Sequence, residues 1–225
     1  MKYTNDLSIP VELVDLCDRK STALLVYDMQ VGIRSQIGGG NRIVERCAVA
    51  LSAARRAGMR VVFTRHRSCP KAWMGATQYR SAMNWQKKDD PSTVKPSFLH
   101  DATSTAIVPE LTPTADDLVL DKVGMSAFEG TPLAFALKDC GITGVAICGI
   151  ATEIGIEPTT RHASDLGFIP IVLSDACGSG HAEAGQRSMD TLRFVGEAMI
   201  TDVDTFTALL LAHCGLSSVP AHSGY

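Results

Sequence analysis

Six short apolar runs recur along this chain, and none of them alternates in polarity. They are Ser21–Asp28 (STALLVYD), Met59–Thr64 (MRVVFT), Leu118–Asp121 (LVLD), Val145–Cys148 (VAIC), Ile169–Leu173 (IPIVL) and Ala198–Thr201 (AMIT). A strand with water on one face needs a polar residue at every second position. A strand covered on both faces reads as an unbroken apolar run. Helical patterns lie between the runs. Ile43, Cys47, Ala50 and Ala54 fall at helical spacing before Gly58, with Asn41 as a cap. Thr131-Pro132 starts a helix whose buried face is Leu133, Ala136, Leu137 and Cys140. Residues 182–195 and 203–213 read as two more. Strand–helix alternation of this kind predicts a parallel sheet with helices on both faces, and right-handed crossovers make it doubly wound. The expected fold is α/β, a three-layer α/β/α arrangement around a doubly wound six-stranded parallel sheet.

One domain over residues 1–225 is expected, since 225 residues can bury one sizeable core. Residues 1–20 read as an N-terminal arm. Residues 65–109 read as an insertion that covers the site, with a short helix near Ala76–Trp85, because a segment this long is seldom a bare loop. Residues 215–225 read as a loose tail.

Composition excludes several partners. The formal net charge of −3 gives no electrostatic case for nucleic acid or an anionic membrane. No apolar run approaches the roughly 20 residues of a membrane span. The opening MKYTNDLSIPVELVDL lacks the apolar centre of a signal peptide. There are seven Cys, an odd number, without C-x-x-C spacing, and Cys47, Cys140 and Cys148 sit within apolar runs. Reduced, buried thiols in a cytoplasmic protein are expected.

Ligands of doubly wound sheets bind beyond the carboxyl ends of the strands. Three features meet at that edge. Asp28 ends the first strand, Lys122 follows the third, and Gly149-Ile150-Ala151-Thr152-Glu153 turns from the fourth strand into a helix near Gly155. The first N–H groups of such a helix suit an anion or a developing oxyanion. It is also where an enzyme places a reactive thiolate. Here the position holds Gly155.

Together these stretches resemble the isochorismatase-like hydrolases, also called the cysteine hydrolase superfamily. The likeness is carried by ALLVYDMQ at Ala23–Gln30, LVLDKVGMSAFEGTPL at Leu118–Leu133 and GIATEIGIEPTTRHASDLGF at Gly149–Phe168. It spans roughly residues 20 to 205. The resemblance implies that Asp28 shuttles a proton, that Lys122 supports it, and that Gly155 stands where other members carry the attacking Cys. Isochorismatases proper also lack that Cys and use the Asp as acid on a vinyl ether, with water attacking. The resemblance further places a non-proline cis peptide at Ala151-Thr152 and implies a homodimer or homotetramer. The zinc site of related nicotinamidases needs an Asp and two His near the second strand. Only His66 lies there, so neither a metal nor another cofactor is expected.

Each candidate has a plain reading beside the functional one. Asp28 could cap a turn, and Lys122 could be a surface residue after a strand. Gly155 could be an ordinary helix-start glycine; if functional, its N–H and that of Ala151 form the oxyanion hole. Gln30 could point into the pocket or hydrogen-bond in a turn. Glu129, Glu153 and Glu157 could touch substrate or simply complement helix dipoles. Trp73 and Trp85 could line the pocket from a lid, as could Tyr79, or pack elsewhere. Cys148 reads as a buried small hydrophobe, and Cys177 as a loop thiol without a base. His162 and His181 read as surface residues.

The sequence thus points to a metal-free hydrolase of a small molecule, with Asp28 as acid or base and water as direct nucleophile. The bond is an enol ether or an amide-type C–N bond. A dicarboxylate substrate would need cations such as Arg34, Arg65, Arg67 or Arg80. The alternatives are a small-molecule binding or interaction protein that keeps the fold, and an engineered replacement at Gly155.

Overall fold

The computed structural model describes residues 1–217. It opens with a small antiparallel hairpin, β1 (Lys2–Thr4) and β2 (Leu7–Ile9), within the arm. The arm then anchors through Leu16 and Cys17, both buried, and burial pushes the Cys17 thiol up to about 12. Then come β3 (Thr22–Tyr27), the short α1 (Val31–Arg34), α2 (Gly40–Ala57), β4 (Arg60–His66), α3 (Ala76–Gln86) and β5 (Leu118–Lys122). α4 (Leu133–Asp139), β6 (Gly144–Ile150), α5 (Glu157–Asp165), β7 (Ile169–Gly178), α6 (Ala182–Val195), β8 (Met199–Thr201) and α7 (Val203–His213) complete the described chain.

The six strands β3 to β8 form one sheet in the order β5-β4-β3-β6-β7-β8, every neighbour parallel. This is the doubly wound α/β/α arrangement. The order reverses between β3 and β6, the kind of switch point beside which ligands of such sheets bind. The unbroken apolar runs have their physical cause here: all six residues of β3 and all seven of β6 are buried. One face packs Leu24, Val26, Ala146 and Cys148 under α2 and α7, with Phe206 and Leu210 from α7. The other packs Leu25, Tyr27, Val145 and Ile147 under α4, α5 and α6, with Leu137, Ala163 and Leu192.

Several local expectations need correction. β7 runs on to Gly178 instead of stopping at Leu173, because a register shift opposite Ile147 and Gly149 lets pairing resume. Cys177 is therefore a strand residue and not a loop thiol. Cys140 is exposed, since α4 ends one residue earlier. α2 begins at Gly40 behind Gly39, so Asn41 lies inside it and does not cap it. The cis peptide falls at Ile150-Ala151, one bond before the expected place. The expected tail falls mostly outside the described residues. Among the described residues, no helix is long and apolar enough to cross a membrane.

Candidate active site

The site begins with the register of β3 and β6. Tyr27 pairs with Gly149, which has φ +129°, and a Cβ at Gly149 would collide with the Tyr27 backbone. Only glycine allows the strands to stay this close here. The chain then turns at Asp28, which sits in the left-handed region at φ +45°. Asp is one of the few residues that tolerates that region.

Asp28 is 3% exposed and both its oxygens accept hydrogen bonds. Oδ1 takes one from Thr64 Oγ1 at 2.7 Å, and Oδ2 takes one from Lys122 Nζ at 2.7 Å. Thr64 ends the buried part of β4 and Lys122 ends β5, so three neighbouring strands converge on one carboxylate. Lys122 Nζ also donates to Tyr27 Oη at 2.8 Å and to the Gly124 carbonyl at 3.2 Å. Its three protons are thereby used. Burial pulls Lys122 below the ordinary lysine range and the Asp28 carboxylate pulls it back up. Burial, with Asp28 adding to it, pushes the Tyr27 phenol well above its ordinary value. Burial also lowers His66, which pairs in register with Lys122; Asp28 opposes that shift and Lys122 adds to it.

Above Lys122 lies a cleft of about 370 Å³ whose walls include Arg67, Asp121, Gly124 and Glu129. Lys122 joins this cleft to the buried Asp28. Glu129 lines the same cleft. Glu153 and Glu157 turn toward α6 instead. Glu153 Oε1 accepts the His181 N–H at 2.9 Å, and Glu157 accepts from Ser188 and Arg161. Of the four arginines considered, Arg67 reaches the cleft. Arg65 and Arg67 share Asp121, at 2.7 and 3.7 Å.

The strand β6 ends in a wide π-helical turn, Thr152–Ile156, before α5 begins. In that turn the Gly155 N–H donates to the Ala151 carbonyl at 2.9 Å. The Gly155 amide is thus committed within the turn and is not a free oxyanion donor. Gly155 itself is buried under the Tyr27 ring.

Other expected residues are placed elsewhere. Gln30 is fully buried and faces the backbone instead of the cleft. Its amide accepts from the His66 N–H at 2.6 Å and donates to the carbonyls of His66 and Thr105, each at 3.0 Å. Trp73 and Trp85 are 80% and 54% exposed and do not line the cleft, because the 65–109 segment holds them on its outer side. Cys148 is fully buried under α2. His181 caps α6, as a surface residue can, but His162 is half-buried, with Nδ1 2.9 Å from Ser126 Oγ. Two residues escaped the sequence reading. Thr64 carried no signal beyond ending an apolar run. Tyr27 did carry one: it is an aromatic with a polar tip in an otherwise aliphatic strand, directly before Asp28.

Comparisons with known proteins bear on this arrangement. A family model described as the isochorismatase domain matches residues 22–204. An Escherichia coli protein named "Uncharacterized isochorismatase family protein YecD" is 32% identical over 182 residues, covering 76% of this chain and 87% of the relative. A "Ureidoacrylate amidohydrolase RutB" from Serratia proteamaculans is 30% identical over 217 residues, 86% of this chain and 84% of the relative. A crystal structure of a cysteine hydrolase from Pseudomonas syringae shares the fold, with TM-score 0.73 and 20% identity over 91% of this chain and 96% of its own.

Proposed function

The chain belongs to the isochorismatase family, and from that premise we propose that it is a metal-free hydrolase of a small molecule. Asp28 handles the proton and water is the direct nucleophile. One observation carries this reading. A buried Asp28–Lys122 pair at 2.7 Å lies under an open cleft, and the turn before α5, where the resemblance places a catalytic Cys, holds Gly155. Cys148, on the strand that leads into that turn, is fully buried under α2.

For a C–N substrate, Asp28 takes a proton from water as the water oxygen bonds to the carbonyl carbon. The carbonyl π pair moves to oxygen. Collapse of that adduct breaks the C–N bond, and Asp28 returns the proton to nitrogen. Both Asp28 oxygens already accept hydrogen bonds, which fixes the orientation of the carboxylate. The relative named as an amidohydrolase also favours this bond over an enol ether, where Asp28 would protonate carbon and water would trap the cation. In the cleft, Arg67 supports a substrate that carries a carboxylate, opposed by Glu129. The oxyanion donors expected from Ala151 and Gly155 form only if the turn releases the Gly155 N–H from the Ala151 carbonyl. That bond also supports the second reading, a binding protein that keeps the fold without turnover.

The test is a screen of small amides, ureido acids and enol ethers with wild type and Asp28→Asn. Hydrolysis of at least one by wild type is expected, with turnover falling about 10²–10⁴-fold in Asp28→Asn. Full turnover in Asp28→Asn would end the mechanism. Saturable binding of an unaltered ligand would favour the binding protein.

A further inference from the structure

Tyr27 has more contacts with the site than a filler of the core needs. A Cβ built on Gly155 would collide with Oη, Cζ and Cε1 of Tyr27. The phenol therefore occupies the volume from which any side chain at 155 would start. The backbone is not the obstacle, because Gly155 is not in the left-handed region. The Tyr27 hydroxyl is also fixed from two sides. It donates to the Met125 carbonyl and accepts from Lys122 Nζ at 2.8 Å. The ammonium lies 4.4 Å from the centre of the same ring. A phenylalanine would fill the space as well, but it would leave one proton of the buried Lys122 without a partner and remove the bond to the Met125 carbonyl.

We infer that Tyr27 is the positioning residue that commits this site to chemistry without a side chain at 155. Its ring fills that volume, and its oxygen holds Lys122 against Asp28. Tyr27 and Gly155 are one matched pair. A side chain at 155 requires a smaller residue at 27, and Gly155→Cys alone does not recreate a thiol in working position. That the missing side chain is a nucleophile's rests on the function proposed above. The steric pairing and the hold on Lys122 do not.

Two measurements test it, and neither uses turnover. In the first, Gly155→Ala is made in wild type, in Tyr27→Phe and in Tyr27→Val. A fall in Tm of about 5 °C or more is expected in the first two backgrounds, and less than about 2 °C in the third. Tyr27→Leu serves if Tyr27→Val does not fold. Equal losses in all backgrounds, or none in any, would overturn the pairing. In the second, the Lys122 ammonium is titrated by NMR in wild type and Tyr27→Phe. The charged and titratable groups facing it are Asp28, Tyr27 and His66, with Asp121, Arg67 and Glu129 around the cleft. Loss of one acceptor is expected to lower the midpoint by about one pH unit. An unchanged midpoint would reduce Tyr27 to filler and overturn the hold on Lys122. An inert wild type with both effects present would sink the hydrolase reading and leave this one standing.

Discussion

Asp121 and Lys122 are consecutive at the end of β5, and each forms an ion pair, yet the two pairs live in different solvents. The Asp121 side chain is 37% exposed and its partner Arg65 32%. The Lys122 side chain is 0% exposed and its partner Asp28 5%. Strand geometry makes the difference, because successive side chains point to opposite faces. In water the exposed pair gains little, since screening and lost side-chain freedom offset the attraction. The buried pair gives up hydration on both sides, and removing one partner leaves a bare charge inside. Stability alone does not explain such a pair, which fits a chemical role at a strand end facing a cleft.

The sharpest way to break this contrast is Lys122→Met. It leaves the Asp28 carboxylate buried without its cation, so a loss of about 3–5 kcal/mol in unfolding free energy is expected by denaturant titration. Adding Asp28→Asn should then restore part of that loss, as it removes the orphaned charge; strict additivity would show that the two do not interact. A smaller effect is expected from pH. The folded protein holds the Tyr27 phenol well above the unfolded value of 10.0. Its contribution is therefore complete below about pH 10 and is lost as pH rises further. Melting temperature should fall more steeply above pH 10 in wild type than in Tyr27→Phe, and parallel curves would refute the assignment. The smallest effect belongs to the exposed pair. Arg65→Ala should change stability by about 0–1 kcal/mol, and a loss as large as that of Lys122→Met would erase the contrast.

The sheet was legible because burial on both faces leaves its mark on every residue of β3 and β6. Asp28 and Lys122 were legible because a charge at the end of such a run stands out. What stayed hidden depends on facing, which a run without alternation does not encode. Tyr27 and Asp28 are neighbours, yet nothing in VYD says that the phenol meets Gly155 from the α4–α6 side of the sheet. Trp73 and Trp85 failed for the opposite reason, since the 65–109 segment has little periodicity to show which side meets water. The register shift that lengthens β7 is a property of pairing with β6, not of either strand alone.

The Gln30 side chain has a consequence for local motion. Its amide exchanges two hydrogen bonds with the His66 backbone and a third with Thr105, as a peptide group in a neighbouring strand would. One side chain thus extends the sheet's ladder past its last strand residue and ties the 103–108 segment to the strand end beside Lys122. The His66 amide should therefore exchange with solvent as slowly as the strand interior, and only when the Gln30 side chain releases it. Deuterium uptake at one amide would then report how often the Gln30 side chain lets go of the end of β4.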